Sequence, residues 1–460
     1  MATNSAGHMP DLSKFIRFVN SRPLEASIEY LVSLFKRRQI TGHKDCAIAT
    51  SHLLFQVVKY SKWSDEDQLM GQVCRVGKRL ADALPKELAI VNIVRRVLSV
   101  IRDEANEDRD NDGFSDTASD VCENGPSTPV QQQQNHAAFS SYYAPSTSID
   151  ETLGNIAPPR LQRQATMSAI SSFSTPKSLF NILSASPSGT AFTSPTKTSG
   201  ASTPRGAPSK TARTDSLRSE IMNAIEEMKD EIDQVGEQIA GFAEAQIRPG
   251  EYVLVHEPSI IVSRFILKAA SKRRFTVLIA CKAGPHGYES RAVSASSKDG
   301  EKVPYESFRR ELTKAGITVI NVMASGMSTY MPLVTRVVLG ARAILANGNV
   351  ILESGAGVVS LAAKAHGRPV VVLGGIYQLS PDSPFDEASL VEWVDPSAAV
   401  PYDDGAIICN EITVRRPVTE IVPADLVDMY ISNLGTHCQY QLSSLIMEHY
   451  KAEDVEFHLW

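Results

Sequence analysis

The sequence predicts an α/β protein: an N-terminal helical bundle domain, a long disordered insertion, and a mainly parallel sheet domain. Three observations carry this reading. Apolar residues recur at three- and four-residue spacing in the first block, composition changes abruptly near residue 105, and from residue 252 short apolar runs alternate with amphipathic stretches.

The helical domain covers residues 1–104. Ile28, Leu31, Val32 and Phe35 form one stripe, and Leu69, Val73, Val76, Leu80 and Leu84 form another, while Lys36, Arg37 and Arg38 fall outside the first. Pro23 and Pro85 punctuate these helices, and Gly42 suits a stop. A further helix over residues 87–104 carries Val91, Val94, Val97, Leu98 and Ile101 on one side and presents Arg95 and Arg96. A bundle of this size holds a modest core but is short of an enzyme by itself.

Residues 105–216 are roughly two-fifths Ser, Thr and Pro, with a glutamine run at 131–134. Such a composition buries too little surface to offset chain ordering, so the segment is expected to be disordered. Its Ser/Thr-Pro dipeptides at Thr128, Thr175, Ser186, Ser194 and Thr203 fit proline-directed kinases, and fit chance equally well. Helical spacing resumes at Leu217 and runs through Ile221, Ile225, Met228, Ile232, Val235 and Ile239, so residues 217–250 complete the helical domain and lead out of it. The insertion then sits inside a helical domain, at small cost, because closure entropy grows only logarithmically with length.

Residues 251–460 form the sheet domain. Strands are expected at 252–255, 275–281, 317–322, 337–339 and 369–373, with helices near 260–270, 305–315 and 358–366. Continuous apolar strands separated by amphipathic helices indicate a Rossmann-like parallel sheet covered on both faces.

Charge and cysteines narrow the class of function. The 460 residues carry 46 Lys+Arg against 52 Asp+Glu, and the helical domain, the insertion and the remainder hold about +5, −2 and −9. This balance excludes a strongly basic nucleic-acid binder as the default. No apolar run approaches the roughly 20 residues of a membrane span, the start lacks a secretory pattern, and the six cysteines are scattered without zinc-site spacing. A protein of the cytosol, with reduced thiols and without structural zinc, is expected.

A parallel sheet places ligands at the carboxyl ends of its strands. The candidate there is Gly355-Ala356-Gly357-Val358-Val359-Ser360, opening a helix whose free N–H groups suit a phosphate. Its third glycine is missing, and the next acidic residue, Asp382, lies beyond the spacing of a ribose-binding carboxylate, so a dinucleotide site is not expected. His256, Glu257 and Cys281 end strands, but nothing in the sequence brings thiol and imidazole together. Asp403-Asp404 reads as turn chemistry. No catalytic, cofactor or metal residue is assigned; the basic surplus makes Lys36, Arg37, Arg38, Arg95 and Arg96 candidates for a partner contact.

The chain resembles one superfamily: the regulatory subunits of the guanine-nucleotide exchange factor for translation initiation factor 2, with their relatives the methylthioribose-1-phosphate isomerases. The likeness is carried by Asn92-Ile93-Val94-Arg95-Arg96-Val97-Leu98, by Leu345-Ala346-Asn347-Gly348, by Ser360-Leu361-Ala362-Ala363-Lys364-Ala365-His366, and, for the beta-type subunits, by Leu379-Ser380-Pro381, Ile431-Ser432-Asn433-Leu434-Gly435 and His449-Tyr450-Lys451-Ala452-Glu453-Asp454. Where the isomerases place a catalytic Cys this sequence has Glu257, and where they place a catalytic Asp it has Arg342; their phosphate-side pattern has become Leu352-Glu353-Ser354-Gly355-Ala356. The resemblance therefore implies a non-catalytic regulatory subunit without cofactor. It would pair with a delta subunit through the sheet domain, assemble with alpha, gamma and epsilon subunits, and contact initiation factor 2, especially its alpha subunit, through the helical domain. The alternative is a sugar-phosphate isomerase, against which Glu257 and Arg342 discriminate.

Overall fold

The computed structural model describes residues 12–113, 210–281, 305–323, 326–382, 386–394 and 415–457. Among the described residues the first helices are α1 Leu12–Val19, α2 Leu24–Lys36, α3 His43–Tyr60, α4 Glu66–Ala83, α5 Leu88–Gly113, α6 Lys210–Gly241 and the short α7 Ala243–Gln246. α3 is their hub and packs against α1, α2, α4, α5 and α6. Cys46, Ala49, Leu53, Leu54 and Val58 are buried on several of its sides, so it lacks the one-sided stripe that marks its neighbours. The stripe from Leu217 to Ile239 is buried throughout. On α5 the buried side is Ile90, Ile93, Val94, Val97 and Ile101, with Val91 only half-buried. Gly42 does not stop a helix; at φ +93° it opens α3, while α2 ends at Lys36 and the chain turns through Arg38 at φ +52°. α5 and α6 run several residues into the segment assigned to the insertion, and residues 114–209 lie outside the described residues.

The sheet domain contributes β1 Tyr252–His256, α8 Ile260–Ala270, β2 Thr276–Cys281, α9 Glu306–Lys314, β3 Thr318–Met323, α10 Met327–Tyr330 and β4 Arg336–Gly340. After these come β5 Ala343–Leu345, β6 Val350–Glu353, α11 Ala356–Ala365, β7 Val370–Leu373, β8 Leu379–Ser380, β9 Trp393–Val394, β10 Arg416–Pro417, β11 Thr419–Val422, β12 Met429–Ser432, β13 Gly435–His437 and α12 Gln439–His449. Seven strands form the main sheet in the order β13-β12-β7-β4-β1-β2-β3, parallel except for β13. Val253 and Val255 point into a core shared with the helical domain, whereas Leu254 and Leu339 point into a second core beneath α10, α11 and α12. Burying each such side chain contributes roughly 1.5–3 kcal/mol.

α6 lies along α8, so the bundle and the sheet share one core. The sheet grows outward from β1 through β2 to β3, then returns to the other side of β1 at β4. That reversal is the switch point at which open α/β sheets form their crevice. A smaller sheet, β11-β6-β5-β8, lies beyond it.

Candidate functional site

Glu257 directly follows β1 and Arg342 follows β4, and these two strands are neighbours at the switch point. Glu257 adopts φ +43°, and its carboxylate accepts the Tyr305 hydroxyl hydrogen bond, Tyr305 itself sitting at φ +59° ahead of α9. Two non-glycine residues in the left-handed region cost about 1–3 kcal/mol each, and their mutual bond helps to hold that strained turn. His256, only 8% exposed, sets its Nε2 3.1 Å from the Ser354 carbonyl oxygen. A carbonyl only accepts, so Nε2 carries the hydrogen, and the buried Nδ1 finds no partner among the described residues.

Ser354 leads into the glycine loop. Gly355 adopts φ +100°, and a Cβ there would lie 3.0 Å from the His256 Cε1 atom, so both backbone and space require glycine. α11 starts at the next residue, as the sequence predicts. The seat for an anion at its N-terminus is already taken, because the Gly357 N–H donates to the Glu420 carboxylate, carried on β11 beside β6. The loop thus carries its own anion.

Arg342 is held by two carboxylates. Its Nε donates to Glu353 at 2.8 Å and its Nη1 to Glu392 at 3.0 Å, and Arg38 also bonds Glu392. Burial disfavours the Arg342 cation, but Glu353, Glu87 and Glu392 together outweigh it and hold its pKa above the usual guanidinium value. Burial pushes the Glu87 carboxyl up to about 7, with Arg342 opposing the shift. It pushes His43 down to about 4, with Arg342 adding to the effect. A cavity of about 70 Å³ lies among Arg38, Gly42, Glu87, Arg342 and Glu392. Arg342, kept charged and tied to carboxylates, cannot exchange a proton near neutral pH.

The residues singled out for a partner contact divide. Arg95 is 1% exposed and points into the core, where Asp382 and the Val455 carbonyl oxygen receive it, so its charge is met within the chain. Asp382 is its counterion rather than a ribose-binding group. Arg96 is mostly covered and pairs with Glu231 at 2.6 Å, and Arg38 is committed to Glu392. Lys36 and Arg37 remain exposed at the end of α2, with no ion pair among the described residues. The Cys281 side chain and the turn Asp403-Asp404 lie outside the described residues. Tyr305 and Glu420 escaped the sequence reading, because each acts on a residue 48 or 63 positions away and no spacing signals it. Among the described residues no cluster of His, Cys, Asp or Glu could hold a metal, and no helix is long and apolar enough to cross a membrane.

Residues 39–438 match the Initiation factor 2 subunit family. The chain belongs to that family. Among its curated members, translation initiation factor eIF2B subunit beta of Schizosaccharomyces pombe is 28% identical over 95% of this chain and 98% of its own. The crystal structure of eIF2B beta from Chaetomium thermophilum is 34% identical, covers 98% of this chain and 99% of its own, and superposes with a TM-score of 0.64. A chain of the tetrameric eIF2B-beta2-delta2 complex from C. thermophilum is 31% identical over 96% of this chain and 100% of its own, with a TM-score of 0.61. Ribose 1,5-bisphosphate isomerase of Thermococcus kodakarensis is 26% identical over 51% of this chain and 68% of its own. Glu257 and Arg342 are both engaged by side chains of this same chain.

Proposed function

We propose that this chain is the beta subunit of the exchange factor for translation initiation factor 2. It acts there as a regulatory and non-catalytic component, beside a delta subunit and the alpha, gamma and epsilon subunits, in the cytosol. The observation that carries the reading is the end-to-end likeness, in sequence and in structure, to eIF2B beta proteins. The switch point supports it. A carboxylate tied to Tyr305 and a guanidinium tied to Glu353 and Glu392 offer neither a nucleophile nor a proton-transfer pair, and Glu420 occupies the anion seat. The helical domain, with Lys36 and Arg37 exposed, would meet the alpha subunit of factor 2 and help to sense its phosphorylation.

Affinity purification of the full chain under gentle conditions, followed by native mass measurement, tests the reading. Co-purification with four other subunit types is the expected result. A homodimer that isomerises ribose 1,5-bisphosphate or methylthioribose 1-phosphate, with the rate lost in Glu257→Ala, would overturn it. That second reading rests on the partial likeness to the isomerases.

A further inference from the structure

α6 and α8 pack along one another, and at one point of that seam a glycine makes room for a charge. Gly236 lies inside α6, where glycine is a destabilising choice, and a Cβ at this position would come within 2.8 Å of the Arg264 Nη1 atom. The guanidinium that uses this space is half-buried, yet it has neither an ion pair nor a hydrogen bond among the described residues. Arg95, Arg96 and Arg342, which are also withdrawn from solvent, are each met by a carboxylate. Taking a cation out of water without a counterion costs stability, so folding alone gives no reason for where Arg264 sits.

Arg264 is part of the wall of a cavity of about 220 Å³. Ile260 and Ile261 share its face of α8 by their four- and three-residue spacing, and both line the same cavity. Tyr377, fully buried, and His43 also line it, their rings stacked with centroids 6.4 Å apart. Burial holds His43 neutral, so it brings no charge of its own. Of the other charged groups in the lining, Lys44 is committed to Asp233 at 2.9 Å, and Asp45 makes no ion pair with Arg264. Ile260 is 66% exposed, so the cavity opens to solvent on its side. The cavity contains neither Glu257 nor Arg342 nor the Gly355 loop, and it shares only Thr41 and Gly42 with the smaller cavity beside Arg342.

We propose that this cavity binds a small organic anion, whose carboxylate or phosphate group pairs with Arg264 and whose compact apolar body rests on Ile260, Ile261 and the Tyr377 ring. A mostly apolar pocket with a few fixed polar groups is the usual make-up of a small-molecule site, and the planar guanidinium fork fits both kinds of anion. The ligand supplies the counterion that the fold withholds. Arg264 therefore serves binding and not folding, which gives the test its sharpest readout. The inference does not depend on the function proposed above.

Binding to the full chain is measured by calorimetry with benzoate and phenyl phosphate as probes, and melting temperatures are recorded without them. One of the two should bind wild type with a Kd of about 1 mM or tighter. Acetate, inorganic phosphate and benzyl alcohol, which carry only the charge or only the ring, should bind at least tenfold more weakly. Arg264→Gln should weaken the better probe at least tenfold and leave the melting temperature of the free chain unchanged or higher. Gly236→Ala, whose methyl group takes the space of the guanidinium, should also lower affinity while the chain stays folded. The inference is overturned if neither probe binds, if either variant binds as wild type does, or if the charge-only or ring-only compounds bind equally well. It is also overturned if Arg264→Gln melts clearly lower than wild type, because a structural role then accounts for the residue.

Discussion

Asp382 grips the buried guanidinium of Arg95 through hydrogen bonds of 2.7 and 2.8 Å, although 287 residues separate them. Ser380 donates to the same carboxylate at 2.6 Å, and the Val455 carbonyl oxygen accepts from two nitrogens of Arg95. The helical domain, the sheet domain and the C-terminal turn meet on this one side chain. Asp382→Ala would strand a buried cation, and the loss should be about 3–5 kcal/mol in equilibrium denaturation. Arg95→Met, which keeps most of the volume, should cost less. A cost under about 0.5 kcal/mol for Asp382→Ala would show that the pair does not clamp the domains.

Glu87 gives the fold a dependence on pH. Its carboxyl is raised to about 7 by burial, so between pH 4.5 and 7 the folded chain binds more protons than the unfolded chain, and this group alone makes stability fall as pH rises through that window. His43 and His52, held near 4 by burial, act oppositely: stability from them is present above about pH 6.5 and lost toward pH 4. The two trends partly cancel in the wild type. Glu87→Gln should therefore stabilise the fold at pH 7.5 by about 1–3 kcal/mol, seen as a higher melting temperature, while changing it little at pH 5. Equal effects at both pH values would mean that Glu87 does not titrate in this range.

Glu420 makes a prediction about anions. With the carboxylate gone, the Gly357 N–H loses its partner and the α11 N-terminus its counter-charge, a loss of roughly 0.5–2 kcal/mol. Glu420→Ala should melt earlier in chloride buffer and regain part of the difference in 50–100 mM phosphate, whereas the wild type should gain much less. Parallel phosphate responses would show that the seat is not an anion site at all.

How far the sequence revealed this arrangement follows from how local each feature is. β1, β2, β4 and β7 were legible because strands buried on both faces read as unbroken apolar runs, and α8 was legible from its helical spacing, whereas the parallel strand β12 was not expected as a strand. α3 was not, since it is buried on several sides and has no polar face to mark its period. The smaller sheet is made of two- to four-residue strands, too short to show a period. In the helix at the end of the chain, Leu442 and Ile446 proved to be core while Met447 is exposed, a division that only the packing decides. Arg95 misled because a charge is expected outside, and its partner lies in another domain. Glu420 and Tyr305 were invisible for the same reason of distance along the chain.

The end of α2 supplies the last test. Lys36 and Arg37 are exposed, and with Arg38 engaged by Glu392 they are what remains there of the basic surplus free to face another protein. If they steer factor 2 toward the helical domain, their effect falls as the screening length shrinks from about 10 Å at 0.1 M salt to about 3 Å at 1 M. Lys36→Glu with Arg37→Glu, in the assembled complex, should slow association with factor 2 several-fold at 50 mM salt and flatten the dependence of the rate on salt. Dissociation should change little, because rim charges act mainly on the encounter. Arg38→Glu should behave differently, lowering stability through the loss of its Glu392 contact. An association rate unchanged across the salt series in the Lys36/Arg37 variant would place the contact elsewhere.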